Sequence, residues 1–275
     1  MTHDSGRTEP PAPDYRLGAS ERERQRLLAQ GDLLRPAARA LLDRIPLADG
    51  ARALDVGCGP LGITDLLSAA TGPRGHVTGL DADPQMIAWA RESAASRHLS
   101  NVSLVHGILP SPEIPQAAFD FVHCRLLLIN NTDPRQILRA MAGAARPGGW
   151  IAAQEFDWST WQCDPPHPAW DELKSLIVPV FGGDVHIGAR LPTLLRSVGA
   201  TDIGVTAHVY YWRPGDLYQR LLLHFAGLFH DRITAQGTHP DTLHSLTETL
   251  RRHLDRPDTT VRESLLVQAW GRTAR

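Results

Sequence analysis

A glycine-rich stretch at residues 53–62 contains the first residue types that could meet a nucleotide-like ligand. An apolar run carries Asp55 near its end, breaks into the segment GCGPLG at 57–62, and is followed by a helical pattern. Glycine adopts backbone angles that other residues avoid, and it lets a ligand approach the main chain closely. The spacing is typical of the nucleotide-binding corner of an open α/β sheet. It also fits NAD-dependent proteins, so it does not choose the ligand.

The carboxylate of Asp81 lies at the end of the next predicted strand, about 20 residues beyond the glycine loop. A carboxylate at this position can accept hydrogen bonds from the hydroxyls of a ribose, as in proteins that bind adenosine cofactors. The alternative is a surface turn, because Ala82, Asp83 and Pro84 follow directly. Together with the glycine loop, Asp81 favours ribose binding.

Several side chains could take a proton from a bound substrate. Glu155 and Asp157 follow the fifth predicted strand, and His186, His224 and His230 lie in later insertions. A histidine has an unperturbed pKa of about 6.5, so it can act as a base at neutral pH. The alternative for each histidine is a structural or solvated role. The sequence does not choose among these candidates.

The cysteines, histidines and carboxylates show no spacing typical of metal ligands, so we predict no metal site. The three cysteines contain no Cys-x-x-Cys pair, which favours a reduced, cytoplasmic protein.

Aromatic residues of the second half could line a pocket for a flat hydrophobic molecule, or could belong to the core. They are Trp158, Trp161, Trp170, Tyr210, Tyr211 and Trp212.

Strand and helix patterns alternate over residues 50–156, which predicts a parallel sheet with helices on both faces. Two helical patterns precede the first strand and could form a lid over the ligand edge or pack against the sheet. Residues 217–229 are strongly apolar and must be buried, either as a lid or as a dimer surface. The predicted organisation is a disordered tail at 1–13, a helical lid at 14–48, a cofactor-binding core at 49–160, and substrate-side insertions with the last two strands at 161–275.

Composition narrows the class of protein further. With 275 residues, 42% hydrophobic content and a formal net charge of −2, the chain suits one large α/β domain with additions. The charge argues against a nucleic-acid partner of the usual basic kind. No apolar run reaches about 18 residues, so we expect no membrane span.

Four segments together resemble class I S-adenosylmethionine-dependent methyltransferases. They are LDVGCG at 54–59, GLDADP at 79–84, FDFV at 119–122 and RPGG at 146–149, and they occur in the order and spacing of that family. The resemblance covers about residues 50–160, and features near Tyr15, 126–128 and 270–272 are similar to its small-molecule, natural-product branch. It implies a Rossmann-like α/β fold: a seven-stranded, mostly parallel sheet whose last strand is antiparallel, with an N-terminal helical lid and a helical insertion before the last strand.

The resemblance also implies S-adenosyl-L-methionine as the cofactor and assigns residues to it. Gly57 and Gly59 would shape the loop at the methionine part, Asp55 would lie under its amino group, and Asp81 would hold the ribose. Family members commonly carry Asp where this chain has Ile108, so one acceptor for the adenine amino group is missing. The complete set of implied cofactor contacts is Tyr15, Gln30, Asp55, Gly57, Cys58, Gly59, Asp81, Ala82, Gly107, Ile108, Leu109 and Arg125.

The implied activity is methyl transfer to a small aromatic or polyketide-like natural product in secondary metabolism, with O-, N- or C-methylation left open. Implied substrate contacts are Asn130, where close relatives often carry His, Glu155 and Trp158. A homodimer is one of the arrangements left open. Two alternative functions remain open. One is a cofactor-binding protein without methyl transfer, such as a cyclase, and the other is an NAD-dependent oxidoreductase.

Overall fold

The structure is a computed structural model that describes residues 20–274, except for the side chain of Arg22. The predicted tail at 1–13 and the predicted cofactor contact Tyr15 lie outside the described residues. The described strands are β1 Arg52–Val56, β2 His76–Asp81, β3 Val102–His106, β4 Phe119–Arg125, β5 Ala145–Asp157, β6 Gln162–Asp164, β7 Thr201–His208, β8 Tyr211–Trp212, β9 Thr260–Arg262 and β10 Leu265–Arg272.

The main sheet has seven strands in the order β3-β2-β1-β4-β5-β10-β7. Strands β1 to β5 pair in parallel, and β10 runs antiparallel to both β5 and β7. Apolar side chains of β1 are buried on both faces of the sheet, as is typical of a parallel strand covered by helices. The predicted seven-stranded, mostly parallel sheet with an antiparallel last strand is confirmed.

Helices cover both faces of this sheet, and others pack against one another beside it. The described helices are α1 Glu21–Leu33, α2 Arg35–Leu42, α3 Thr64–Thr71, α4 Pro84–Ser96, α5 Pro134–Ala144, α6 Pro168–Phe181, α7 Ile187–Ser197, α8 Leu221–Leu228, α9 His230–Ala235 and α10 Pro240–Leu254. Ala53 packs in one buried cluster with Leu41 of α2, whereas its neighbour Leu54 packs in another with Leu138 of α5. Successive strand side chains point to opposite faces, so one strand serves both layers.

Local sequence signals explain several helix starts. The Ser20 side chain accepts the N–H of Glu23, and the Asp133 side chain accepts the N–H of Gln136. Such caps satisfy backbone donors that have no partner inside the helix, and each stabilises a helix by about 1 kcal/mol. Proline in the first turn of α4 and α5 adds a fixed helical φ angle.

A second, three-stranded antiparallel sheet in the order β6-β9-β8 was not expected from the sequence. Strand β6 is too short for a visible pattern in the sequence, and pairing with the distant β9 stabilises it. The apolar segment 217–229 is also not one helix. It begins as the 3₁₀ turn Leu217–Arg220, continues as α8, and bends before α9.

No helix among residues 20–274 is both long and apolar enough to cross a lipid bilayer. The sheet joins β10 and β7 to strands from the first half of the chain. The domain boundaries proposed from the sequence stay predictions.

Candidate functional site

A cavity of 440 Å³ lies where β1, β2 and β4 end and is closed on one side by α1. The glycine loop after β1 forms its floor. Gly57, Gly59 and Gly62 have φ angles of 69°, 54° and 50°, in the left-handed region that favours glycine. A side chain on Gly62 would approach the Cys58 carbonyl oxygen to 2.7 Å, whereas the space beside Gly59 is open. The loop is therefore tight on its inner side and open toward the cavity.

Asp81 lies on the wall of the cavity and holds the glycine loop. Its Oδ2 accepts the N–H of Gly59 at 2.8 Å, and its Oδ1 accepts the N–H of Asp83 at 3.0 Å. Burial raises the pKa of the Asp81 carboxyl, and the N–H donors of Asp83 and Gly59 oppose that change. The carboxylate thus connects the ends of β1 and β2 at the place where the sequence predicts a ribose.

Asp55 also lines the cavity, but protein groups contact both of its oxygens. Oδ1 accepts from His123 Nδ1 at 2.9 Å, and Oδ2 accepts from the Thr64 hydroxyl at 3.1 Å. Gln154 Nε2 lies 2.8 Å from His123 Nε2. Because an amide nitrogen only donates, His123 Nε2 is the acceptor and its hydrogen is on Nδ1. A buried chain of hydrogen bonds therefore fixes the Asp55 carboxylate beneath the loop.

Arg125 lies at the end of β4, the strand beside β1, which carries Asp55. Its Nη1 is buried and has no hydrogen-bond partner among the described residues. Burial lowers the pKa of the guanidinium, and the nearby charge of Asp55 opposes this. Buried polar atoms in folded proteins nearly always have partners, so an unpaired donor beside a cavity indicates a ligand acceptor.

Another wall of the cavity follows β2 and β3. Ala82, Gly107, Ile108 and Leu109 line it, and Ile108 is 42% exposed. All predicted cofactor contacts within the described residues line this one cavity. They are Gln30, Asp55, Gly57, Cys58, Gly59, Asp81, Ala82, Gly107, Ile108, Leu109 and Arg125.

The opposite end of the cavity is apolar. Phe156, Trp158, Phe181, Leu221 and Phe225 line it. Trp158 stacks on Phe225 with ring centres 5.5 Å apart and meets Phe181 edge-on at 4.9 Å. Ring contacts of this kind hold aromatic side chains in fixed orientations. The result is a rigid aromatic wall at the end of β5.

Of the aromatic residues proposed as pocket lining, Trp158 is the one found on the wall of the cavity. Trp161, Trp170 and Trp212 are buried in the core, and Tyr211 is 60% exposed. Tyr210 stacks on Trp212 at 5.6 Å. The alternative, that these rings belong to the core, holds for the three other tryptophans. Asn130, a predicted substrate contact, does line the cavity, and its Nδ2 donates to the carbonyl of Leu126 at 2.9 Å.

Glu155 is not on the wall of the cavity, which contradicts its prediction as a base or substrate contact. Its oxygens accept the N–H groups of Leu127, Leu128 and Ile129 at 3.0, 2.7 and 3.2 Å. Burial raises the pKa of Glu155 to about 8. Alternation along β5 points Phe156 into the cavity and Glu155 away from it. Glu155 instead holds the 3₁₀ turn Leu128–Asn130.

The other proposed bases also lie off the cavity wall. Asp157 accepts from the backbone N–H and hydroxyl of Ser159, and its Oδ1 lies 3.2 Å from Nδ1 of the exposed His186. His230 is exposed beside Asp231, and His224 packs its ring against Phe225. His224 falls outside the site because α8 turns Leu221 and Phe225 toward the cavity instead.

Several wall residues were missed by the sequence reasoning. They are Arg26, Leu27, Asp83, Met86, Phe156, Phe181, Leu221, Phe225, Glu263 and Ser264. The apolar stripe of 217–229 was a usable signal for Phe225. Glu263 and Ser264 join the short strand β9 to β10 and carry no motif. No group of His, Cys, Asp or Glu in the described part of the chain is arranged to hold a metal ion.

A family model described as a methyltransferase domain matches residues 53–149. With the sheet order and the glycine loop, this match shows that the segment is similar to the cofactor-binding domain of class I S-adenosylmethionine-dependent methyltransferases. Similar curated proteins are demethylmenaquinone methyltransferases. One from Listeria monocytogenes serotype 4a is 35% identical over 137 residues, covering 48% of this chain and 55% of that protein. One from Halalkalibacterium halodurans is 34% identical over 147 residues, covering 51% and 57%. The chain thus spans about half the length of the curated relatives it matches.

Solved structures show the same fold at low identity. The YcgJ protein of Bacillus subtilis has a TM-score of 0.56 and 17% identity, with 86% of this chain and 97% of that chain covered. Phosphoethanolamine N-methyltransferase 2 of Haemonchus contortus, in complex with S-adenosyl-L-methionine, has a TM-score of 0.53 and 18% identity, with 86% and 52% covered. These likenesses establish the fold of the chain.

Proposed function

We propose that this protein transfers a methyl group from S-adenosyl-L-methionine to a small aromatic or polyketide-like natural product. The observation that supports this most is one cavity with two chemically different ends. Asp55, Asp81 and Arg125 lie at the polar end, and Trp158 and Phe225 lie at the aromatic end. A cofactor and an apolar acceptor could therefore occupy adjoining parts of the same space.

The residues at the polar end fit the proposed cofactor. The Asp81 carboxylate suits a ribose, and the unpaired Nη1 of Arg125 suits the carboxylate of the amino-acid part. The open space beside Gly59 allows close approach to the main chain. The loop has no lysine, and a cofactor without pyrophosphate needs none. The cofactor supplies an activated methyl group on a sulfonium sulfur.

The contribution of the chain is alignment and exclusion of water. Orientation of two reactants can lower a barrier by roughly 7–11 kcal/mol. The interlocked rings of Trp158, Phe181 and Phe225 would hold a flat acceptor without reorganising. The names of the curated relatives motivate including a demethylated quinone among the acceptors tested. Sequence resemblance and cysteine use support a cytoplasmic setting in secondary metabolism, and a homodimer is part of the proposal.

Calorimetric titration of the full chain tests cofactor choice. We expect S-adenosylmethionine and S-adenosylhomocysteine to bind and NAD not to bind. No binding at millimolar S-adenosylmethionine would contradict the proposal, and preferential binding of NAD would favour the oxidoreductase alternative. Formation of S-adenosylhomocysteine in the presence of candidate acceptors then tests transfer. Cofactor binding without this product, alongside a converted substrate, would favour the cyclase-like alternative.

A further inference from the structure

Glu263 is a buried carboxylate on the wall of the cavity that none of the roles above uses. It joins β9 to β10 and is 1% exposed. Its Oε2 accepts from the indole N–H of Trp212 at 3.0 Å. Its Oε1 accepts from the backbone N–H and hydroxyl of Ser264 at 2.9 and 2.7 Å. All of these donors are neutral, so they orient the carboxylate without pairing its charge with a cation.

The hydrogen bonds leave Glu263 with acceptor capacity to spare. A carboxylate offers roughly four lone-pair positions, and the neighbouring donors use three of them. Burial of the Glu263 carboxylate costs folding free energy, because a desolvated carboxylate is unfavourable unless it is well hydrogen-bonded. Leu265 pairs with Asp157 at the end of β5, so Glu263 lies close beyond that strand end, at the same edge as Trp158.

The order of the strands places Glu263 at the acceptor end. Following the sheet, Asp81 ends β2, Asp55 lies on β1 and Arg125 ends β4. Next come Trp158 after β5 and Glu263 before β10. If the cofactor spans from β2 to β4 as proposed, Glu263 and Trp158 remain for the second molecule.

We propose that Glu263 recognises the methyl acceptor by accepting a hydrogen bond from its hydroxyl group, and that the acceptor is a flat hydroxyaryl or enol compound. This inference rests on the proposed function and adds the chemical class of the acceptor to it. Burial raises the pKa of the Glu263 carboxyl, and the donors of Ser264 and Trp212 oppose that change. A cation is costly to desolvate beside the apolar rings of Trp158 and Phe225, which favours a neutral hydroxyl over an ammonium group.

The test compares three probes on the full chain saturated with S-adenosylhomocysteine. They are 2-naphthol, 2-methoxynaphthalene and the ammonium form of 2-naphthylmethylamine. We expect the wild-type chain to bind 2-naphthol about tenfold or more tightly than its methyl ether in calorimetric titrations, as a hydrogen bond to a carboxylate implies. Glu263→Met should bring the two affinities within about threefold, since it removes both acceptor oxygens. Glu172→Met, on the exposed face of α6, is the matched control and should keep the full preference.

The titration of S-adenosylhomocysteine separates the possible failures. If the wild-type chain does not bind this ligand, the proposed function fails. If it binds, the inference is overturned by equal affinity for naphthol and ether, by a preference that survives Glu263→Met, by tightest binding of the ammonium probe, or by no binding of any probe. Should Glu263→Met not fold, Glu263→Gln keeps one acceptor oxygen without charge. It should reduce the preference to between the two limits, and an unchanged preference would overturn the inference.

Discussion

We propose that the buried Nη1 of Arg125 contacts the amino-acid end of the cofactor and not its adenosine. 5′-Methylthioadenosine contains the adenosine of S-adenosylhomocysteine but lacks its amino-acid end. We expect Arg125→Met to weaken binding of S-adenosylhomocysteine by about 1.5–3 kcal/mol, the range for a hydrogen bond to a charged group. Binding of 5′-methylthioadenosine should stay unchanged. Calorimetric titration of both ligands checks this, and an equal loss for both would show that Arg125 acts only by shaping the cavity.

Asp81 should show the complementary pattern, because both ligands contain the ribose. Asp81→Ala removes the proposed ribose acceptor and leaves the N–H of Gly59 without its partner. We expect affinity for both ligands to fall by about 1–3 kcal/mol, the cost of unpaired buried polar groups. Gln85→Ala, exposed in the first turn of α4 and off the cavity wall, is a neighbouring control for general damage to this corner. Wild-type affinity in Asp81→Ala would show that this carboxylate does not contact the ligand.

At the scale of elements, Glu155 connects β5 to the turn that carries Asn130. In the folded chain the pKa of Glu155 rises from its usual 4.5 to about 8. Between these values the folded state holds a proton that the unfolded state has lost, so the free energy of unfolding falls as pH rises. Above about pH 8 this contribution is gone.

Glu155→Gln isolates this effect because an amide does not titrate. At pH 5 we expect the variant to be less stable by about 1–3 kcal/mol, since its NH₂ group cannot accept the N–H of Ile129. The stability gap to wild type should narrow as the pH approaches 8, because the wild-type chain loses stability there and the variant does not. Urea unfolding of both chains at several pH values measures this, and a constant gap would contradict it.

The sequence predicted the polar end of the cavity far better than the aromatic end. The glycine loop and Asp81 follow consecutive strands, so local patterns and chain order place them together. Phe156, Phe225 and Glu263 line one cavity only because β10 inserts beside β5 and Phe225 of α8 packs against Trp158. Such pairings depend on contacts between distant segments. The orientation of Glu155 was also missed, because it depends on the strand register. A change of register by one residue moves every side chain of the strand to the other face of the sheet.

At the scale of the whole molecule, walls of the cavity come from Arg26 near the start of the described chain to Ser264 near its end. A ligand that binds only the folded state should therefore stabilise the entire chain as one unit. At a hundredfold excess over its Kd, S-adenosylhomocysteine should add about 2.7 kcal/mol to the free energy of unfolding. For a chain of this size, that corresponds to a rise in Tm of about 5 °C.

Scanning calorimetry of the full chain, with and without S-adenosylhomocysteine, distinguishes this expectation from independent halves. Because β10 lies between β5 and β7, residues 161–275 complete the sheet begun by residues 49–160. We expect one transition that moves upward intact. If the segments proposed from the sequence were independent folding units, two transitions would appear and the ligand would shift only the one that contains the glycine loop.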